Sequence, residues 1–200
     1  MRPAVGILLT LALTQIAACT YGSRYVELSY PPQEQVEMSS PSTQPVASGP
    51  RTHYVILAVN DARETSDRIG NVRDGFGFDT ASILTEDNIA VWVYDAVSFE
   101  LARLGYQVLD QYGASSNESA NRLTANVRKV YCDIYMVYDG EVTLQATLER
   151  PNQEPVTTEY PAKVSSGLSW AGSGSATGES LAQALQTSIR NMLHDFGFTD

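Results

Sequence analysis

The 200-residue chain is sparing with the side chains that do chemistry: it has two cysteines, Cys19 and Cys132, and two histidines, His53 and His194. Two imidazoles supply few general bases near neutral pH. No grouping of His, Cys and Asp has the spacing of a zinc site. No serine stands in the Gly-x-Ser-x-Gly setting of a nucleophile elbow. Gly70, Gly75 and Gly77 fit neither glycine-rich phosphate fingerprint, and no helix begins directly after them, so they read as turn residues. Glu86-Asp87 reads as helix capping, and His194 as a cation suited to the last turn of a helix. The sequence therefore predicts a non-enzyme with no metal and no cofactor. A hydrolase without a recognisable motif would need a cleft holding a perturbed titratable group.

The residues that remain point to binding. Asp61 and Arg63 stand two apart and share a face if the segment is extended. They read first as a structural ion pair. Arg63 is the better contact residue of the two, since its fork chelates a carboxylate or phosphate. Tyr131 and Tyr135 share one face of a strand with Asp133, while Cys132, Ile134 and Met136 take the core side. Eleven tyrosines are many for this length, and a tyrosine-rich strip suits a protein interface. The same strip would equally suit a sheet face covered by other parts of the chain.

Cys19 has the most informative neighbourhood. Arg2 is followed by an apolar run from Val5 to Leu13, too short for a membrane-spanning helix of ~20 residues. It has the length and flanks of a secretory signal. Ile16-Ala17-Ala18 then leads directly into Cys19, which resembles the lipobox of bacterial lipoproteins. That resemblance implies cleavage before Cys19, a thioether-linked diacylglycerol on its thiol, an acyl chain on its new amino group, and a membrane partner held through this lipid. Several acyl chains anchor stably where one does not. Thr20, rather than Asp, follows the cysteine, which by the same resemblance implies outer-membrane placement with the domain facing the periplasm.

Removal of residues 1–18, which carry Arg2 and no acid, takes the net charge from −10 to −11 and leaves 182 residues. So acidic a chain is a poor partner for nucleic acid or anionic lipid heads. Any membrane contact would then be made by the lipid. With Cys19 acylated, Cys132 has no disulfide partner and reads as a small hydrophobe buried in a strand.

The elements follow from periodicity. Tyr25–Tyr30 alternates as a short strand, and 33–50 is a Pro/Ser-rich linker. The domain proper is read from Arg51. His53–Asn60 reads as a strand buried on both faces. Ile69–Val72 and Phe78–Leu84 flank a hairpin turn at Asp74-Gly75. Thr85 reads as the N-cap of a helix closed by Gly105. Tyr106–Leu109 is a short strand, and Leu123–Tyr138 a long one that turns at Tyr138-Asp139-Gly140-Glu141 into Val142–Leu148. Val156–Leu168 is a looser strand. Gly172–Gly178 reads as a flexible loop before a second amphipathic helix from Leu181 to Phe196. The expected class is α+β, two amphipathic helices on a mostly antiparallel sheet. The expected division is a signal over 1–18, an anchoring segment over 19–50 and a domain over 51–200.

From Val55 to Phe198 the order of elements resembles the YajG-type family of bacterial lipoproteins. The resemblance rests on Asp61-x-Arg63, on Ile69-Gly-Asn-Val72 with Arg73-Asp74, on Leu104-Gly105-Tyr106 closing the first helix, and on the final helix after the Gly/Ser segment. More distantly it looks like auxiliary lipoproteins of envelope transport systems and lipoproteins that form periplasmic rings. It implies no catalytic residues. The expectation is a structural or accessory component of an envelope assembly, acting by binding other envelope proteins or itself. The alternative is a carrier for lipid or a small apolar ligand.

Overall fold

The strand that organises the sheet is the fourteen-residue Asn121–Ile134. In chain order the elements are β1 (Gly22–Tyr25), β2 (His53–Asp61), β3 (Arg68–Arg73), β4 (Asp79–Leu84), α1 (Ile89–Arg103), β5 (Tyr106–Asp110), β6 (Asn121–Ile134), β7 (Tyr138–Glu149), β8 (Val156–Ser166) and α2 (Gly174–Asp195). The computed structural model describes residues 22–30, 53–65, 67–110, 120–168 and 173–198. The lipobox, with Cys19, and the Pro/Ser linker lie outside the described residues.

Along one edge β6 pairs antiparallel with β7, and β7 with β8. Its other edge is shared end to end. β2 runs parallel to its first half and β3 parallel to its last three residues. β5 extends the sheet beyond β2; β4, then β1, extend it beyond β3. The class is α+β as expected, but the sheet is mixed, not mostly antiparallel. Turn residues announce the three antiparallel pairs, because each joins strands adjacent in sequence. The four parallel pairs join distant strands and carry no local signal.

Both helices cover one face. α2 lies over β6, β7 and β8, α1 lies over β2 and β5, and the two helices touch. Val55, Leu57, Leu123, Val127, Leu144, Leu185, Ile189 and Leu193 are among the residues of this core. Ile56, on the other face of β2, packs with Ala120, Tyr54 and Leu109 in a second, small cluster. β2 is therefore buried on both sides at its centre, as its unbroken apolar run requires.

Several local expectations shift. The N-cap of α1 is Asn88, whose side chain accepts from Ala90 N and Val91 N, and not Thr85. Thr85 still belongs to the strand end, its N–H donating to Asp67 O and its hydroxyl accepting from Asp87 N. The β6–β7 turn is Tyr135–Val137, and Tyr138–Glu141 are already in β7. Gly140 serves close packing rather than a turn: a Cβ there would lie 2.6 Å from Ser180 O on α2. Met136, read as core, is exposed in the turn. α2 begins at Gly174, capped by the Ser173 hydroxyl, so most of the Gly/Ser stretch is helical.

The short strand before the linker is part of this same sheet. β1 pairs parallel with β4, and Val26 and Leu28 are buried in the main core. Leu28 N donates to Asp87 Oδ2, Trp92 Nε1 donates to Ser29 O, and Tyr30 OH donates to the buried Glu100. Residues 22–30 thus strap α1 to the sheet. The Pro/Ser linker is consequently a connection between two parts of one domain.

Candidate functional site

Where β6 exchanges β2 for β3 the sheet opens. Asp61 is opposite Val127 and Gly70 is opposite Cys132, so residues 128–131 of β6 face the loop between β2 and β3. A β-bulge lies at the same place, between Val127 and Lys129. Before it the core side chains are Leu123, Ala125 and Val127; after it they are Val130, Cys132 and Ile134. The bulge absorbs this change of parity and leaves Arg128 and Lys129 both exposed. The result is a cleft of about 340 Å³ lined by Arg63, Arg68, Arg128, Lys129 and Tyr131, with Glu64 and Thr65 at the loop.

Arg63 anchors the loop. Its guanidinium grips Asp61 with two hydrogen bonds, Nε to Oδ1 at 2.9 Å and Nη2 to Oδ2 at 2.8 Å. The Arg63 N–H also donates to Asp61 Oδ1. The Arg63 side chain is only 4% exposed. Hydrogen bonding to Arg63 holds the Asp61 carboxyl below its ordinary range, with its own burial opposing. Arg63 is thus at the cleft but occupied, as the structural reading of the pair expects.

The more exposed cations are the ones sequence reasoning missed. Lys129 Nζ is 2.7 Å from Glu141 Oε2 and 5.7 Å from the centre of the Tyr131 ring. Arg128 donates to the neutral amide oxygen of Gln145 at 2.8 Å, and among the described residues no carboxylate pairs with it. Arg68 holds the buried Asn71 and stands 3.9 Å from Asp79. The parity switch between Val127 and Val130 was the signal in the sequence that marked this place.

Tyr131 is half-buried in the cleft wall, its phenol pushed up by burial and by Asp133. Tyr135 is not beside it. It lies in the β6–β7 turn, where its OH donates to Gly75 O at 3.2 Å. The two tyrosines expected to form one strip are separated by the end of the strand. Cys132, on the opposite face from Tyr131, is fully buried, and burial first, then Asp133 and Asp139, pushes its thiol up to about 12. Among the described residues there is no group of three or more His, Cys, Asp and Glu placed to hold a metal ion.

A family model described as "Uncharacterized lipoprotein" matches residues 40–198. The chain belongs to this family. It is the YajG-type lipoprotein family that the motifs from Val55 onward resemble. Two solved structures share the fold of this lipoprotein. A crystal structure of an uncharacterized protein has a TM-score of 0.53 at 11% identity, covering 89% of this chain and 99% of that one. Protein XCC0632 from Xanthomonas campestris has a TM-score of 0.50 at 14% identity, covering 86% and 92%. No curated protein matches the chain in sequence.

Proposed function

We propose that this bacterial lipoprotein is anchored in the outer membrane by acyl chains on Cys19, faces the periplasm, and works without catalysis as an accessory component of an envelope assembly. The domain acts by holding an acidic segment of a partner protein in the cleft between the β2–β3 loop and β6. The observation that carries this reading is the bulge that displays Arg128 and Lys129 together beside Tyr131. In a chain of net charge −10 this is a local concentration of cations. Arg128 is the residue best placed to take a carboxylate, because its present partner is a neutral amide. Tyr131 adds an amphipathic contact of the kind favoured at interfaces.

A photo-crosslinking residue in place of Tyr131, in cells expressing the lipidated protein, tests this. The expected result is one adduct of constant mass that Arg128→Glu abolishes while the protein stays folded and membrane-bound. Adducts that persist through the charge reversal, or none at all, would remove the cleft from the account. An adduct with twice the protein's own mass would make the partner a second copy.

A further inference from the structure

Five large apolar side chains crowd one end of the sheet and are left in solvent. Phe76 is 88% exposed and Phe78 70% exposed, both in the β3–β4 turn. Met136 and Tyr135 are 63% and 42% exposed in the β6–β7 turn, and Leu168, just past β8, is 73% exposed. These turns are neighbours. Tyr135 OH bonds to Gly75 O, and Tyr138, the first residue of β7, is paired with Ser166, the last of β8. Exposed clusters of this kind on a soluble domain mark a surface that something else covers.

The start of the described chain says what covers it. β1 runs parallel to β4, with Gly22 opposite Ala81, three residues past Phe78. The chain therefore enters the domain at the same end of the sheet as the apolar tip. Cys19 precedes Gly22 by three residues, which reach at most ~11 Å whatever their conformation. Because β1 is built into the sheet, the long Pro/Ser linker follows it and cannot act as a spacer between Cys19 and the domain.

We infer that the β3–β4 and β6–β7 turns form a membrane-contacting tip, seated in the interfacial layer of the bilayer that holds the Cys19 acyl chains. The inference rests on the anchor proposed above and adds to it an orientation and a contact made by protein. The tip is chemically fitted to a water-poor layer. The N–H groups of Phe76 and Phe78 both donate to Asp74 Oδ1, and Gly77 N donates to Asp74 O. The backbone donors of Asp74, Phe76, Gly77 and Phe78 are thus satisfied within the turn, which lowers the cost of entering such a layer. The acids behind it are engaged too: Asp133 with Arg73 at 2.8 Å, and Asp139 with Lys163 at 3.4 Å. Interfacial amphipathic helices bury their apolar faces ~5–10 Å into the headgroup boundary, and the apolar tip is assigned to that same layer. The sheet then stands upright on the membrane, and the β7–β8 turn at the opposite end points away.

The test uses the full lipidated chain in zwitterionic phosphatidylcholine vesicles. An environment-sensitive NBD label is placed at Phe76→Cys or, as the distal control, at Glu154→Cys in the β7–β8 turn. The buried Cys132 takes no label in the folded protein, which the parent chain verifies. Nitroxide lipids quench at shallow depth. The expected result is about two-fold quenching at position 76 and none at position 154, in keeping with interfacial burial. No quenching at 76, in protein whose mass shows an acylated Cys19, would overturn the tip and leave the anchor standing. A blue-shifted label at 76 that lipid nitroxides fail to quench would overturn it in favour of a protein cover. Protein without the acyl mass would overturn the anchor and the tip together.

Discussion

Replacing Gly140 by alanine should destabilise the domain far more than its single methyl group suggests. Gly140 lies in β7 under the first turns of α2, and its N–H donates to Ser180 Oγ at 3.0 Å. Ser180 in turn donates to Tyr138 O at 3.1 Å. A Cβ at position 140 would stand 2.6 Å from both Ser180 O and Ser180 Oγ and 2.7 Å from Ser180 C. Ordinary contact is about 3.5–4.0 Å, so the helix backbone itself must retreat by about 1 Å. Overpacking of this kind costs about 1–3 kcal/mol. Stretching the buried hydrogen bond costs about 1–3 kcal/mol more if the Gly140 donor is left unmet. Alanine returns about 0.5–1 kcal/mol of backbone entropy in a strand. The net loss is therefore about 2–4 kcal/mol, which at a urea slope of about 2 kcal/mol/M moves the midpoint down by about 1–2 M. Equilibrium urea unfolding followed by far-UV circular dichroism reads this directly. Gly75→Ala is the control, since nothing lies within 4 Å of a Cβ there. A Gly140 variant with the same midpoint as the Gly75 variant would refute the helix-on-strand packing.

Cys132 should resist iodoacetamide in the folded protein and react in urea. With the thiol raised by burial to about 12, the fold favours its protonated form, so stability falls as pH rises above the free-thiol value of ~8.5. Alkylation of the native state at the rate of a free thiol would contradict its burial. The Asp61 carboxyl is lowered by its bonds to Arg63, so that contribution is present above the ordinary carboxylate value and lost as pH falls through the lowered one. The stability gap between parent and Asp61→Asn should accordingly be wider at about pH 6 than at about pH 3, measured by urea midpoints. Asn88→Ala should cost about 1 kcal/mol and Asn88→Asp almost nothing, because either side chain caps α1 and alanine does not. Equal midpoints for the two variants would move the cap elsewhere.

The elements legible in the sequence were those whose pattern is local. Ile89 to Leu101 and Leu181 to Leu193 repeat at helical spacing, and both stripes are buried as the period requires. The β3–β4 hairpin showed itself through Asp74, which does bind the turn backbone. What failed to show was non-local. No residue in β1, β2 or β3 says that its sheet neighbour is parallel and comes from far along the chain. Gly140 was misread because a glycine after Asp139 looks the same whether a turn or an overlying helix demands it. The cleft went unseen for a similar reason. Arg128 and Lys129 look like solvated charges until the parity switch around them is read as a bulge, and only the meeting of β2 and β3 on one edge gives that bulge a cavity to face. Arg63 and Tyr131, singled out in the sequence because their types suit contacts, both line the cleft. Tyr135 was drawn into the same strip by assuming that the strand ran on to Tyr138.

The central claim is that this lipoprotein works from a membrane, held by Cys19. The most direct test is the intact mass, and the mass of the N-terminal peptide, of protein extracted from bacterial membranes. The account predicts a chain that begins at Cys19 and carries both a thioether-linked diacylglycerol and an N-acyl group. A chain that retains residues 1–18, begins at another residue or carries an unmodified Cys19 would contradict it.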